Sequence, residues 1–412
     1  MSKFLTLKSA DEIFEMLNFD PLPPETLPLD QALGRVLAEP FPASEDLPGF
    51  DRSTVDGFAV RARDVFGATE GLPAALEYLG ECPMGDVPQL TVGPGQTARI
   101  WTGGMLPPGA DGVVMLEYSR PAGDKLVELT RPAAPLENVI SRGEDASCGE
   151  ELLPSGRSLR PQDLGLLAAL GQTEARVIRR PRAAIISSGD EVVPVTATPR
   201  PGQVRDINSH TLAALVRSAG GEARSFGLAP DHRDKLRAMV AEALDWADLV
   251  VMSGGSSAGQ RDFTILVFGD LPGVEILAHG VAISPGKPLI LARQGQKSLW
   301  GLPGHAAGAL VCAEVFLRPL IKRLTGQTDP EVWRAGLTAS LTRPVASAQG
   351  RRDYIRVSLA PPETPGGPLQ ATPILGKSGL ISTLVLAEAL VVCPENLEGL
   401  EAGQIVPLHL SL

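Results

Sequence analysis

Residues 248–262 read DLVVMSGGSSAGQRD. An apolar run (248–253) passes into a loop of glycine and serine. This is the texture of a buried strand that ends where a ligand could approach the backbone. Just upstream, DHRDKLRAMVAEALDWA (231–247) has apolar residues at helical spacing and opens on Asp231, a good N-cap type. The alternation continues in both directions. AAIIS (183–187) and EARSFGLA (222–229) predict strands, with a helix over 208–220 between them, ended by Gly220-Gly221. VEILAH (274–279), PLILA (288–292) and SLWGLP (298–303) predict three more, and residues 305–324 a long helix. Such alternation predicts a mostly parallel sheet with helices on both faces, an α/β domain over 181–325.

The flanks differ. Residues 8–19 predict a helix with Ser9 as N-cap followed by Glu12. Leu29–Leu37 predicts a second, short helix, and Pro161–Leu170 a third. Between them, over 45–142, short apolar runs such as VDGFAV and DGVVMLEY alternate with Gly/Pro turns and predict a small, mostly β domain. The expected organisation is a helical segment (1–44 and 143–180) interrupted by that inserted β domain. After Gly326 the runs DYIRVSLA, LQATPIL and ALVVCPE predict a β-barrel domain over 326–412.

The chain has 412 residues with 44 Gly and 37 Pro, so short elements and many turns are expected. Its net charge of −11 argues against nucleic acid as a partner. Any anionic ligand would have to be held by local amides, a few cations or a metal. Cys82, Cys148, Cys312 and Cys393 are scattered and read as buried small hydrophobes in a reducing compartment. The five histidines lack zinc-ligand spacing. The first residues read as an amphipathic helix, not a signal peptide, and no apolar run reaches ~18 residues. A cytoplasmic protein with no membrane partner is the expectation.

In an open α/β sheet, ligands bind at the carboxyl ends of the strands. The polar clusters fall there. They are Ser187-Ser188-Gly189-Asp190-Glu191, Pro230-Asp231, the loop from Ser253-Gly254-Gly255 to Asp262, Ser284-Pro285-Gly286-Lys287, and Gly301-Leu302-Pro303-Gly304. Glycine amides and a helix start suit an anion, and neighbouring carboxylates suit Mg2+ bridging to a phosphate. Each piece has a plainer reading as a cap, a turn or a surface charge; their joint placement on one edge is the stronger signal. Two motifs mislead. Gly376-Lys377-Ser378 imitates a P-loop end, yet Ala371 stands where glycine is required. Gly255–Gly259 fits the G-x-S-x-G elbow of serine hydrolases, with Ser257 as nucleophile and Asp270 with His279 or His305 as formal partners. That spacing is looser than a strained elbow wants.

Taken together, PGFDRSTVDGFAVR (48–61), RIWTGGMLPPGADGVVMLE (99–117), NVISRGEDASCGE (138–150), SSGDE (187–191), SGGSSAGQRD (253–262), PGKP (285–288), GLPG (301–304) and SGLIST (378–383) resemble the signatures of the molybdopterin molybdenumtransferase family (MoeA, gephyrin E domain), in its order. The resemblance spans essentially the whole chain. It implies a multidomain α/β and β fold: a helical dimerisation segment, an inserted β domain, a central MogA/MoaB-like α/β domain and a C-terminal β-barrel. It implies a homodimer that takes adenylylated molybdopterin and molybdate, uses Mg2+, and releases AMP. A MogA-like adenylyltransferase and molybdoenzymes are the implied partners. Carried over residue by residue, Glu191 and Asp262 are metal or acid/base carboxylates, and Asp56 and Thr102 come from the β domain. Asp145 and Asp231 are cleft carboxylates, and Lys287, Arg351 and Ser378 are oxyanion contacts. Gly189, Asp190, Ser253, Gly254, Gly255, Pro288, Gly301, Pro303 and Gly304 would line the substrate site. The chain departs from the family pattern at Arg52, Ser188, Ser256, Ala258, Ser284 and His305; Ser284 replaces a lysine and His305 an asparagine. Those two changes favour a scaffold or weakly catalytic molybdopterin-binding paralogue, and a tungstate-using or adenylyl-transferring relative is a separate alternative.

Overall fold

The computed structural model describes residues 7–254, 263–327 and 337–409. The chain divides into two compact units. One comprises residues 1–38, 156–160 and 174–412, and the other residues 39–155 and 161–173.

The first unit holds the α/β sheet. Its strands are β1 (Arg182–Ser188), β2 (Glu222–Ala229), β3 (Leu249–Ser253), β4 (Glu275–His279), β5 (Ile290–Gln294) and β6 (Lys297–Leu302), in the order β2-β1-β3-β6-β5-β4. The first four run parallel. β5 is antiparallel to both β6 and β4, so it alone is reversed. Side chains alternate between faces with the strand period of two. Ala183, Ile185, Leu249 and Val251 pack under helices Asn208–Ser218 and Ala306–Cys312 with the continuing turns to Leu324. Ala184, Ile186, Val250 and Met252 pack under helices Arg233–Trp246 and Phe263–Gly269. Helices therefore cover both faces, as the alternation predicts.

Near the start of the chain, helix Ala10–Met16 carries a capping box: Ser9 Oγ accepts from Glu12 N at 3.1 Å, and the Glu12 carboxylate accepts from Ser9 N at 2.7 Å. The helix expected over Leu29–Leu37 is absent. One 3-10 turn, Leu29–Gln31, forms after Pro28. Gly34 then turns with φ 71°, and Val36 and Leu37 make isolated bridges to Ser158 and Val177. Pairing to β partners outweighs a helical propensity spread over nine residues. Asp231 is also not the N-cap of its helix. His232 stands there, and no side chain caps the turn.

Five strands form the C-terminal barrel: β7 (Thr338–Leu341), β8 (Arg352–Ala360), β9 (Leu369–Pro373), β10 (Ala389–Cys393) and β11 (Ile405–Pro407). Pairing runs β10-β8-β9-β7-β11. The ring closes where Leu390 N donates to His409 O at 3.0 Å and His409 N donates back to Leu390 O at 2.9 Å. Closure removes the exposed edges that a sheet this small would otherwise carry.

Burial holds the His409 pKa down at about 4, well below the ordinary histidine value. Between that value and the unfolded ~6.5 the unfolded chain binds the extra proton. The stability tied to neutral His409 is thus complete above about pH 6.5 and falls away as pH drops towards 4. The expected result is a lower barrel melting temperature at pH 4.5 than at pH 7, with a shallower drop in His409→Leu. Equal drops in the two proteins, followed by calorimetry, would remove this role.

In the second unit, six strands pair in the order Gly112–Met115, Gly57–Val60, Gln96–Ile100, Ala74–Glu81, Leu126–Leu129, Ser119–Pro121. Val113, Ala98 and Ile100 fill one core and Phe58, Val114 and Leu129 another. The chain either side adds short pairs, Phe41–Pro42 with Glu151–Leu153 and Arg52–Ser53 with Val139–Ile140, and helix Pro161–Ala169. All four cysteines are free; Cys82, Cys312 and Cys393 are buried, but Cys148 is exposed, against expectation. It sits in the turn that wraps Asp46, with Sγ 3.5 Å from Ser44 O. No helix among the described residues is long and apolar enough to cross a membrane.

Candidate functional site

The reversal of β5 decides where the chemistry gathers. Had β5 been parallel, the segment before it would lie at the amino edge of the sheet. Because Ile290 pairs with Gly301, at the carboxyl end of β6, Ser284-Pro285-Gly286-Lys287 lies at the carboxyl edge instead. The loop is tightly held. Val281 N donates to Lys287 O at 2.9 Å, and Ile283-Ser284 pairs with Arg352-Asp353 of β8. Gly286 (φ 125°) packs so closely on Cys312 that a Cβ would come within 2.5 Å of its Sγ.

That pairing sets the loop against the barrel, and between them lies a cavity of about 590 Å³. Lys287, Pro288, Pro303, Arg351 and Ser378, all expected from the sequence, line it together with Ser284, His305 and Arg356. His305 Nδ1 and Ser378 Oγ are 2.8 Å apart, and Ala307 N, at the start of the long helix, donates to Ser378 O at 3.0 Å. Arg351 is neutralised by Asp353, with Nε at 2.9 Å from the carboxylate. The Lys287 ammonium is exposed and has no hydrogen-bond or ion-pair partner among the described residues.

A second group lies where β1 and β3 end. Gly254 N donates to Leu302 O at 3.2 Å, and Gly304 approaches Gly254 closely. Ser253 Oγ is 3.4 Å from Ser187 Oγ, which donates to Asp206 Oδ1 at 2.9 Å. Asp206 Oδ1 also accepts from Ser209 N, and Asn208 Nδ2 donates to Gly304 O at 2.9 Å. Asp206 and Asn208 were not foreseen. They follow a Pro-rich loop, and only the fold turns their side chains onto the strand ends. Asp190 Oδ1 accepts from Asp231 N at 3.1 Å, so those two candidates do meet. Glu191 is exposed, its carboxylate beside Gly189. Gly301 is buried within β6 against Thr264 and Ile290. Gly255, Ser257 and Asp262 lie outside the described residues. Of the hydrolase partners, Asp270 is taken by Arg233 at 2.6 Å and His305 by Ser378.

In the second unit, Asp56 Oδ1 accepts from Thr102 N at 2.9 Å and Thr102 Oγ1 at 2.8 Å. These bonds hold the Asp56 carboxyl below the usual carboxylate range. The pair forms because Asp56 precedes one strand and Thr102 follows its neighbour. Asp145 is exposed in the turn where Leu47 bridges Ala146. Nearby, Asp46 accepts from Cys148 N and Arg142 Nε, and both bonds lower its pKa.

The first unit thus joins an α/β sheet with one reversed strand to a closed barrel across a cavity lined by Lys287, Arg351 and Ser378, the architecture of a multidomain α/β and β protein. Residues 5–171 match the MoeA N-terminal region (domain I and II), 184–323 a probable molybdopterin binding domain, and 338–410 the MoeA C-terminal region (domain IV). The chain is 33% identical over 392 residues to the molybdopterin molybdenumtransferase of Bacillus subtilis, covering 94% of this chain and 89% of that protein. It is 38% identical over 305 residues to that of a Nostoc species, covering 73% and 70%. The crystal structure of a molybdopterin biosynthesis MoeA protein from Pyrococcus horikoshii OT3 superposes with a TM-score of 0.84 at 30% identity, over 98% of this chain and all of that one. The chain belongs to the molybdopterin molybdenumtransferase (MoeA) family of transferases.

Proposed function

We propose that this protein inserts molybdenum from molybdate into adenylylated molybdopterin, with Mg2+-dependent release of AMP, as a cytoplasmic homodimer. The observation that carries the reading is the cavity where Lys287, Arg351, Ser378 and His305 converge in a chain of net charge −11. An acidic protein that concentrates cations in one cleft has made a site for an anion. Molybdate, a dianionic oxyanion, would be held there by the Lys287 ammonium and the Ser378 hydroxyl.

The phosphate end of the pterin substrate would meet the strand-end group. Asp190 and Glu191 are exposed oxygen donors at a glycine turn, and hard oxygen ligands suit Mg2+. No group of three candidate ligands exists among the described residues. An ion held there by one or two carboxylates would be completed by substrate oxygens. Bound there, it would neutralise charge on the phosphoryl group. Asp56, kept ionised by Thr102, and Asp262 are further carboxylates of the proposed machinery, together with Asp145 and Asp231.

The test mixes purified protein with adenylylated molybdopterin, Mg2+ and molybdate and follows AMP by chromatography. AMP should appear only with molybdate, and a chelator should stop it. Pterin retained without molybdate-dependent AMP would point instead to a binding or scaffold paralogue, the reading that Ser284 favours by leaving the cavity one lysine short.

A further inference from the structure

The segment that leads to Lys287 is held on both flanks. On one, Lys8, just ahead of the first helix, bridges Val281: Lys8 N donates to Gly280 O at 3.1 Å, and Ala282 N donates to Lys8 O at 2.8 Å. On the other, Arg352 N donates to Ala282 O at 2.9 Å, where the pairing with β8 begins. The Arg352 side chain then closes the ring. Its Nη1 and Nη2 donate to the two carboxylate oxygens of Asp11, in the first turn of helix Ala10–Met16, at 3.0 and 2.9 Å. Its Nε and Nη2 donate to Glu395, in the turn after β10, at 3.1 and 3.2 Å. Both flat edges of the guanidinium therefore carry a carboxylate, a double fork that a lysine ammonium does not offer. The bond to Asp11 holds the Arg352 pKa above the ordinary guanidinium value, and the same bond holds the Asp11 carboxyl below its own. The Asp11 side chain is 65% exposed and that of Arg352 20%. A pair so open adds little to global stability; two forks on one guanidinium chiefly fix geometry. Arg352 itself does not line the cavity, whereas Leu7, Val281, Ala282 and Lys287 do.

We propose that Arg352 is a positioning residue whose two forks clamp the first helix and the barrel turn onto the flanks of segment 281–287, and so fix where the Lys287 ammonium stands. The clamp rests on the insertase reading for what Lys287 then does. The first helix thereby becomes a working part of the site. A shift of that helix reaches the segment through Lys8 and Ala282, and Val281 N, which donates to Lys287 O at 2.9 Å, passes it on. Arg352 resists the shift from the other flank, because its side chain holds the helix and its backbone holds Ala282.

The test follows amide hydrogen exchange in the full chain by mass spectrometry, for the parent, Asp11→Asn, Arg352→Gln and the variant carrying both changes, with thermal melts alongside. Arg352→Gln should speed exchange across 281–287 about fivefold, the scale of losing a well-formed ion network, while β3 exchanges as in the parent. Asp11→Asn should give part of the same effect. The double variant should be no faster than Arg352→Gln alone, because both changes act on one contact. In turnover, the molybdate KM of Arg352→Gln should rise by about threefold or more while the pterin KM holds, since only the Lys287 side of the site is displaced. Parent-like exchange across 281–287 in Arg352→Gln overturns the proposal. So does faster exchange with a parent-like molybdate KM, since Lys287 would then stand where it did. Exchange that rises throughout the first unit in step with a lower melting temperature leaves only a structural role. If Arg352→Gln does not fold, Asp11→Asn decides on the same readout, its side chain being the exposed end of the clamp. Faster exchange confined to 281–287 in a protein that releases no AMP sinks the insertase reading and spares the clamp. Molybdate-dependent AMP release with parent-like exchange in Arg352→Gln does the reverse.

Discussion

Lys287→Gln should lower molybdate-dependent AMP release about 10²–10³-fold, the scale of removing one preorganised charge or donor from a transition state. The expectation rests on how little else the side chain does. Its ammonium has no partner among the described residues, while the backbone around it is fixed by Val281 N, the Ile283-Ser284 pairing and the seat of Gly286 on Cys312. Removing the charge therefore leaves loop and fold in place. The melting temperature should stay within a degree or two, and pterin retention should be unchanged. The loss should appear as a higher KM for molybdate together with a lower kcat. An exposed charge is also screened by salt, so the parent's molybdate KM should climb with ionic strength and the variant's much less. Activity within threefold of the parent would remove Lys287 from the site and with it the main support for an oxyanion cavity here.

Much of the fold was legible because burial on two faces writes itself into a strand. EARSFGLA matched β2 at both ends, and DLVVMS matched β3 to within a residue. The capping box of the first helix was equally plain, since Ser9 and Glu12 act within one turn. Where the reading failed, long-range pairing decided. Nothing local to Leu29–Leu37 announces that Val36 and Leu37 bridge to residues more than 100 positions away. The site was legible in part for the same reason. Lys287, Arg351 and Ser378 stand in recognisable segments, and the structure brings them to one cavity. Arg356 was passed over, because an arginine inside DYIRVSLA reads as the outward residue of a half-buried strand. Only the barrel wall shows that it is buried. Asp206 and Asn208 escaped likewise, being ordinary polar residues until the end of β1 arrives beside them.

Gly254→Ala should destabilise the first unit by about 2–5 kcal/mol. Backbone strain and steric overlap add. At φ 92° an L-residue is strained by roughly 1–2 kcal/mol. The steric cost is the greater of the two. A Cβ on Gly254 would fall 2.1 Å from Ser188 O and 3.0 Å from Ser188 C, which are backbone atoms at the end of β1 and cannot rotate away. Overpacking against such a wall typically costs a further 1–3 kcal/mol. Relief would require β1 and β3 to part where Ser187, Ser253 and Asp206 meet, displacing Gly189–Glu191 as well. AMP release should therefore fall more than stability alone accounts for, even below the melting temperature. Gly295→Ala separates strain from overlap. Gly295 also has positive φ, 58°, yet has nothing within 4 Å of an added Cβ, so it should cost about 1 kcal/mol and leave activity intact. Equal losses from the two substitutions, measured by denaturant titration, would mean that the Ser188 carbonyl moves freely. The strand-end group would then lack the rigidity that holding a phosphate in place demands.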